Sequence, residues 1–180
     1  MGDRSEIYIR NANTTIELWR HWDSDPQFMI PFFEKFASFA INTYPTQQHR
    51  LTYPEDVAAL MIVFDYLEDE KTLEKLRKQW KASKNDPEFI PHPDVRPRGN
   101  IEDFERIWIL DIPNDNENGV WKVSYYDLGD LDFLPPEDER EDLKSLYKGK
   151  VQMTVEEFRK AIHECKPLPI KPEIFQFICF

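Results

Sequence analysis

The chain contains little glycine and little cysteine. Five of its 180 residues are glycine, and the two cysteines are Cys165 and Cys179. A loop that binds phosphate through backbone N–H groups is hard to build with so few glycines, and neither G-x-G-x-x-G nor a Walker loop occurs. Two cysteines are a poor disulfide framework, so we expect reduced thiols in a cytoplasmic protein, in the host cytoplasm if the protein is viral.

Long apolar runs and an excess of basic residues are also missing. The longest apolar runs, such as 57–64, are far shorter than the roughly 20 residues of a spanning helix, so we expect no membrane partner. With 34 acidic against 23 basic residues, the formal net charge is -11. Because this charge opposes attraction to nucleic acid, we expect a protein partner, and a basic one.

Alternating apolar and polar residues predict two β-hairpins, at about 5–20 and about 104–128. The second hairpin contains Asn118-Gly119, a strong signal for a tight turn between strands. The apolar, β-prone residues from Glu173 onward predict a final strand or, if it is unpaired, an adhesive sheet edge.

Apolar residues at helical spacing predict five amphipathic helices. Phe28, Phe32 and Phe36 mark the first of them, and Pro31 leaves its starting residue open. Thr52 and Thr154 each stand three residues before a glutamate, which is the spacing of a capping box. The predicted helices span about 27–42, 54–68, 70–84, 136–147 and 155–163.

These elements predict a single α+β domain over residues 1–180. The antiparallel sheet would come from the two hairpins, and the helices would pack on it. Four prolines fall within residues 85–100, a density that favours an extended, exposed connection between an N-terminal and a C-terminal half.

The stretch from Trp19 to Asp25 is the first candidate site. His21, Asp23 and Asp25 could ligate a divalent metal if the chain brought them together. The competing interpretation is that Asp23 or Asp25 caps the next helix, since aspartate before a helical run is common. The candidate residues that crowd the end of the strand are Trp19, Arg20, His21 and Trp22.

Charge is distributed unevenly in two other segments. Between Asp127 and Asp142 there are eight acidic residues and one basic residue. This segment is either a solvated surface or a site for a basic partner. Residues 71–84 carry six basic residues and one acidic residue, which makes this helix the one candidate for nucleic acid. The candidate partner-binding acids are Asp130, Asp132, Glu137, Asp138 and Glu139.

The first thirty or so residues resemble a scattered family of small, uncharacterised microbial and viral proteins. These begin with a short hairpin, followed by an aromatic residue, Arg, His, any residue, Asp, Gly, Tyr and Pro before a helix. The matching residues are Trp19, Arg20, His21, Asp23 and Pro26, whereas Ser24 and Asp25 replace the usual Gly and Tyr. The resemblance implies a phage or archaeal accessory protein and implies no activity.

Two functional hypotheses of different class follow. The first is a non-enzymatic acidic accessory protein that binds another macromolecule, such as an inhibitor or a mimic of nucleic acid, and that needs no cofactor. The alternative is a small metal-assisted hydrolase or nucleotide-binding enzyme that uses His21, Asp23 and Asp25.

Overall fold

The structure is a computed structural model that describes residues 4–83, 85–92, 94–97, 104–114 and 120–178, without the side chains of Phe89, Gln176 and Ile178. The described elements build one six-stranded sheet in the order β3-β2-β1-β4-β5-β6 and three α-helices. The strands are β1 (Ser5–Arg10), β2 (Thr15–Arg20), β3 (Val95–Pro97), β4 (Arg106–Asp111), β5 (Val120–Asp127) and β6 (Glu173–Ile178). The helices are α1 (Pro26–Thr43), α2 (Pro54–Trp80) and α3 (Val155–His163). The predicted α+β class is confirmed.

Both predicted hairpins are present as antiparallel strand pairs, β1 with β2 and β4 with β5. The Asn118-Gly119 turn lies outside the described residues. The hairpins join through β1 and β4, which run parallel, with Ile7 opposite Trp108. This central pair differs from the predicted antiparallel sheet. A parallel pair needs a long crossover connection, and the chain between β2 and β4 supplies one that includes α1 and α2.

The two sheet edges are formed by β3 and β6. The expected exposed connection at 85–100 contains β3, whose Val95 is fully buried, so that prediction is wrong at this point. The strand ends at Pro97. Proline is tolerated there because an edge strand pairs with a neighbour on one side only, so a missing N–H on the other side breaks no hydrogen bond of the sheet. At the other edge the predicted C-terminal strand is confirmed, since β6 pairs with β5.

The first and last predicted helices are confirmed. The Asp25 side chain accepts a hydrogen bond from the Gln27 amide (3.1 Å), and α1 therefore begins at Pro26 with Pro31 inside it. The predicted capping box of α3 is present: the Glu157 amide donates to the Thr154 hydroxyl (3.1 Å), and the Thr154 amide donates to the Glu157 carboxylate (2.7 Å).

The predicted helices at 54–68 and 70–84 are one helix, α2, so the predicted break is wrong. The acidic run at 68–70 contains no helix breaker, and Lys71 pairs with Glu68 one turn earlier (2.6 Å), which supports the helix. The predicted capping box at Thr52 is also wrong. The N-cap residue is Tyr53, which makes no side-chain cap bond, and the Thr52 hydroxyl donates to the His49 carbonyl (2.6 Å).

The predicted helix at 136–147 is also wrong. The structure has only short 3-10 turns there, Glu137–Glu139 and Lys144–Tyr147. A helix of about twelve residues is marginal in water unless one face is buried, and this segment buries none of its residues fully. Repulsion between its closely spaced carboxylates opposes a helix further.

Helices cover both faces of the sheet. On one face, Phe33 and Phe36 of α1 pack on Trp108 and Trp121, and α2 adds Phe64. On the other face, the α3 residues Phe158 and Ile162 pack with Tyr8, Ile107 and Ile109. The side chains on both faces of β1 are therefore buried, and this burial fixes the register of the first hairpin. Within the described segments no helix has both the length and the apolar character of a membrane span.

Candidate functional site

The aromatic residues predicted at the end of β2 form a surface cluster. The His21 ring lies between two indoles, with its centroid 5.7 Å from that of Trp19 and 4.4 Å from that of Trp22. Trp19 is 7 % exposed, whereas Trp22 is 49 % exposed. The cluster therefore presents one large aromatic side chain to solvent.

Arg20 lies on the opposite face of β2 from Trp19, so the predicted four-residue group is divided in two. Its guanidinium stands 4.5 Å above the centre of the Phe32 ring, and its Nε donates to the Trp22 carbonyl (2.8 Å). The residue is buried between the sheet and the two helices. Arg20 therefore holds the turn that carries Trp22 and is not available to a partner.

Asp65 of α2 is the counterion of Arg20, and sequence reasoning did not identify it. One carboxylate oxygen lies 3.9 Å from the Arg20 Nη1 atom, while the other accepts hydrogen bonds from the amides of Asp94 (2.6 Å) and Val95 (2.9 Å). Asp65 is itself buried. Asp65 therefore connects α2, β2 and β3. In the sequence, the only indication of this role is that a single aspartate interrupts an apolar stripe.

An acidic cleft opens beside this ion pair, between α1 and α2. The cavity has a volume of about 460 Å³, and Phe28 and Phe32 form its apolar side. Burial raises the pKa of Asp94, and the nearby charge of Asp65 raises it further, against the opposing effect of Arg20. The carboxylates that line the cleft belong to Asp23, Asp65, Glu68, Asp69 and Asp94.

We expect the Asp94→Asn variant to melt at a higher temperature than the wild type at pH 7. The raised pKa of Asp94 means that the folded state binds more protons than the unfolded state, so wild-type stability falls as pH rises through that pKa. The variant has no carboxyl at position 94 and therefore does not lose stability in this way as the pH rises. The melting temperatures of the two proteins should converge below about pH 4, where the carboxyl is also protonated in the unfolded wild type. Thermal melts across pH test this, with Asp138→Asn as the exposed control. A lower melting temperature for Asp94→Asn at pH 7 would contradict it.

The structure does not bring together the predicted metal ligands His21, Asp23 and Asp25. Asp25 caps α1, as the cap hypothesis predicted, and His21 packs between indoles. Asp23 is exposed and has a left-handed backbone (φ 53°). In the described part of the chain, which includes all three residues, no three His, Cys, Asp or Glu side chains are placed to hold a metal ion.

The predicted acidic segment begins at Asp127, the last residue of β5, and continues through short 3-10 turns. Asp127 accepts a hydrogen bond from the Gly129 amide (2.9 Å) and lies 3.8 Å from Arg106. Asp132 forms an ion pair with Lys150. The remaining predicted acids, Asp130, Glu137, Asp138 and Glu139, are exposed.

Residues 128–153, here termed the acidic loop, are held on the α3 face of the sheet. The Val151 amide donates to the Asp132 carbonyl (2.8 Å), and the Leu134 amide donates to the Met153 carbonyl (3.1 Å). The apolar side chains that attach the loop to the second core are Leu128, Leu131, Phe133 and Met153. The loop that carries the exposed acids is therefore attached to the sheet near both of its ends.

The acidic loop also exposes two leucines that sequence reasoning missed. Leu143 is 60 % exposed and Leu146 is 51 % exposed. Neither leucine lines the cavity of about 790 Å³ in the same loop, whose lining includes Leu134, Glu141 and Lys148. The predicted amphipathic helix would have packed such leucines against the core, so only the tertiary structure shows that they face solvent.

Comparisons with known proteins contribute nothing to a functional inference, which therefore rests on the geometry. Searches against protein-family models, curated proteins and solved structures found no match for this chain.

Proposed function

We propose that this chain is a non-enzymatic acidic accessory protein that binds a basic protein partner through the acidic loop. One observation carries the proposal: the same loop exposes both the acidic turn Glu137–Glu139 and the two leucines, Leu143 and Leu146. Protein interfaces combine apolar anchors that become buried with a charged rim that selects the partner. The loop offers both in neighbouring turns.

The charges favour a basic partner in two ways. The turn carries three consecutive exposed carboxylates, and no ion pair joins them to a cation within the described residues. The overall charge of -11 adds a long-range field that steers cations toward the protein. Because these charges are exposed, salt screens their attraction over about 10 Å at 0.1 M, so binding should weaken as salt is added.

Reversing the three carboxylates tests this proposal. We expect the Glu137→Lys, Asp138→Lys, Glu139→Lys variant to bind an amphipathic Leu/Lys peptide at least about tenfold more weakly, a change of about 1.4 kcal/mol. Fluorescence anisotropy of the labelled peptide, at low and high salt, gives the dissociation constants. Leu143→Ser with Leu146→Ser should also weaken binding, although it changes no charge.

A matched variant distinguishes the effect of the loop carboxylates from the effect of the net charge. Glu34, Glu70 and Glu105 are exposed elsewhere, and reversing all three gives the same change in net charge. This control should keep most of the affinity. Equal losses in the two triple variants, or no loss when the loop is reversed, would refute the acidic loop as the binding surface.

A further inference from the structure

Strand β3 is the shorter of the two edge strands. It pairs with β2 over three residues, whereas β6 pairs with β5 over six. Val95 is its one fully buried residue, Arg96 is partly buried and Pro97 is exposed. Segments that bury few apolar side chains open locally at a lower free energy than the core does. We therefore expect residues 94–97, here termed the strap, to detach more easily than the central strands.

Carboxylates of α2 hold the start of this segment by its backbone. One Asp65 oxygen accepts hydrogen bonds from the amides of Asp94 (2.6 Å) and Val95 (2.9 Å). One helical turn later, an Asp69 oxygen accepts a hydrogen bond from the His92 amide (3.0 Å). Hydrogen bonds to an ionised acceptor are stronger than those between neutral groups. The attachment of the strap to α2 therefore places two carboxylates against its first residues.

The same attachment brings a third carboxyl group, that of Asp94, close to these two. Burial raises the pKa of the partly buried Asp94 carboxyl most, and the negative charge of Asp65 raises it further. The charged groups that act on Asp94 are Asp65 and Asp69 of α2, Arg20 of β2 and His92. The cleft beside it also contains Asp23, Lys35 and Glu68.

Opening of the strap relieves both causes of the raised pKa. Asp94 becomes hydrated and moves away from Asp65 and Asp69, so its pKa returns toward the ordinary value of about 4. A carboxyl group that binds its proton more tightly in the closed state stabilises that state when it is protonated. This stabilisation is complete below the ordinary pKa and is lost as the pH rises through the raised pKa.

We propose that the strap is a proton-controlled cover over the outer edge of β2, closed when Asp94 is protonated and opening more often when Asp94 is ionised. No residue of the acidic loop takes part, so the strap is independent of the proposed function. Its opening uncovers the part of β2 that pairs with it, Leu18 to Arg20. Unpaired strand edges are surfaces on which another strand can pair. Protonation of Asp94 therefore keeps this edge covered.

Hydrogen exchange of the full chain, followed by NMR from pH 4 to pH 7, tests the strap. The Val95 amide is the reporter, because its hydrogen bond to Asp65 breaks when the strap opens. After correction for the intrinsic exchange rate, we expect the protection factor of this amide to fall at least about threefold across the range. The Ile109 amide lies in β4, which is paired on both sides, and should be protected more strongly at every pH.

Two variants assign the effect to one carboxyl group. Asp94→Asn removes the titrating group, so it should remove most of the pH dependence and hold the protection of Val95 near the wild-type value at pH 4. Glu68→Gln is the matched control, because it removes one negative charge from the same cleft but is not among the groups that shift the pKa of Asp94. It should keep the wild-type fall in protection.

Three results would overturn the proposed role of the strap. The first is a Val95 protection factor that does not fall between pH 4 and pH 7, or that falls equally in Asp94→Asn. The second is equal protection of Val95 and Ile109, because the strap would then open only with the whole sheet. The third is loss of the pH dependence in Glu68→Gln as well, which would assign the effect to the total charge of the cleft and not to Asp94.

Discussion

Replacing Asp65 by alanine is expected to lower the free energy of unfolding by about 3 to 5 kcal/mol, the cost of breaking a buried ion pair by removing one partner. The variant leaves the Arg20 guanidinium buried without its counterion and deprives the amides of Asp94 and Val95 of their acceptor. Urea denaturation followed by tryptophan fluorescence measures the change. The dependence of the unfolding free energy on urea concentration should equal that of the wild type if the folded state keeps its compactness.

A matched aspartate on the same helix provides the control. Asp56 pairs with Arg50 (3.1 Å) at the surface, where such pairs contribute at most about 1 kcal/mol. Asp56→Ala should therefore cost far less than Asp65→Ala. Asp65→Asn should fall between them, because its amide oxygen can still accept hydrogen bonds from the Asp94 and Val95 amides while the charge opposite Arg20 is lost. Similar losses for Asp56→Ala and Asp65→Ala would contradict the assigned role of Asp65.

The second large effect is expected from Arg159→Ala, which should cost about 3 kcal/mol. Arg159 of α3 donates from Nε to the Glu6 carboxylate of β1 (3.0 Å), and Glu6 is 1 % exposed. Burial lowers the pKa of Arg159, but the charge of Glu6 and its hydrogen bond, together with Glu156, raise that pKa above its ordinary value. The pair therefore attaches α3 to the sheet, and its loss removes the cation that Arg159 places beside a buried carboxylate.

A rescue variant distinguishes the lost charge pair from lost packing. Glu6→Gln in the Arg159→Ala background should recover part of the stability, because the amide carries no charge that needs a counterion. Lys160→Ala, on the next helix position, removes only an exposed pair with Glu164 (3.9 Å) and should cost little. If Glu6→Gln lowers the stability of Arg159→Ala further, the loss arises from packing and not from the broken ion pair.

Sequence patterns identified the elements whose signals are local. The Asp25 cap, the Thr154 capping box and the aromatic stripe of α1 depend on residues within a few positions of each other. The same is true of the alternation that predicted both hairpins. The predicted break in α2 was wrong for a local reason: the acidic run at 68–70 separates the two predicted helices, whereas Glu68 pairs with Lys71 one turn later and supports a continuous helix.

The candidate site was only partly accessible from sequence. The acidic segment was recognised by composition, and its exposed carboxylates are where the pattern predicted them. Leu143 and Leu146 were missed because leucines in charged surroundings look the same in sequence whether they face the core or solvent. Asp65 was missed because its partners Arg20, Asp94 and Val95 lie about 30 or more residues away along the chain.

The sequence by itself determined the α+β class, the hairpins, the caps of α1 and α3 and the concentration of negative charge, because propensity, alternation and charge act over a few residues. Only the tertiary structure decided that β1 and β4 run parallel, that α2 is one helix extending past the sheet, and that the acidic loop is fixed on the α3 face. These features depend on contacts between residues distant in sequence, whose free energies exist only after the chain has folded.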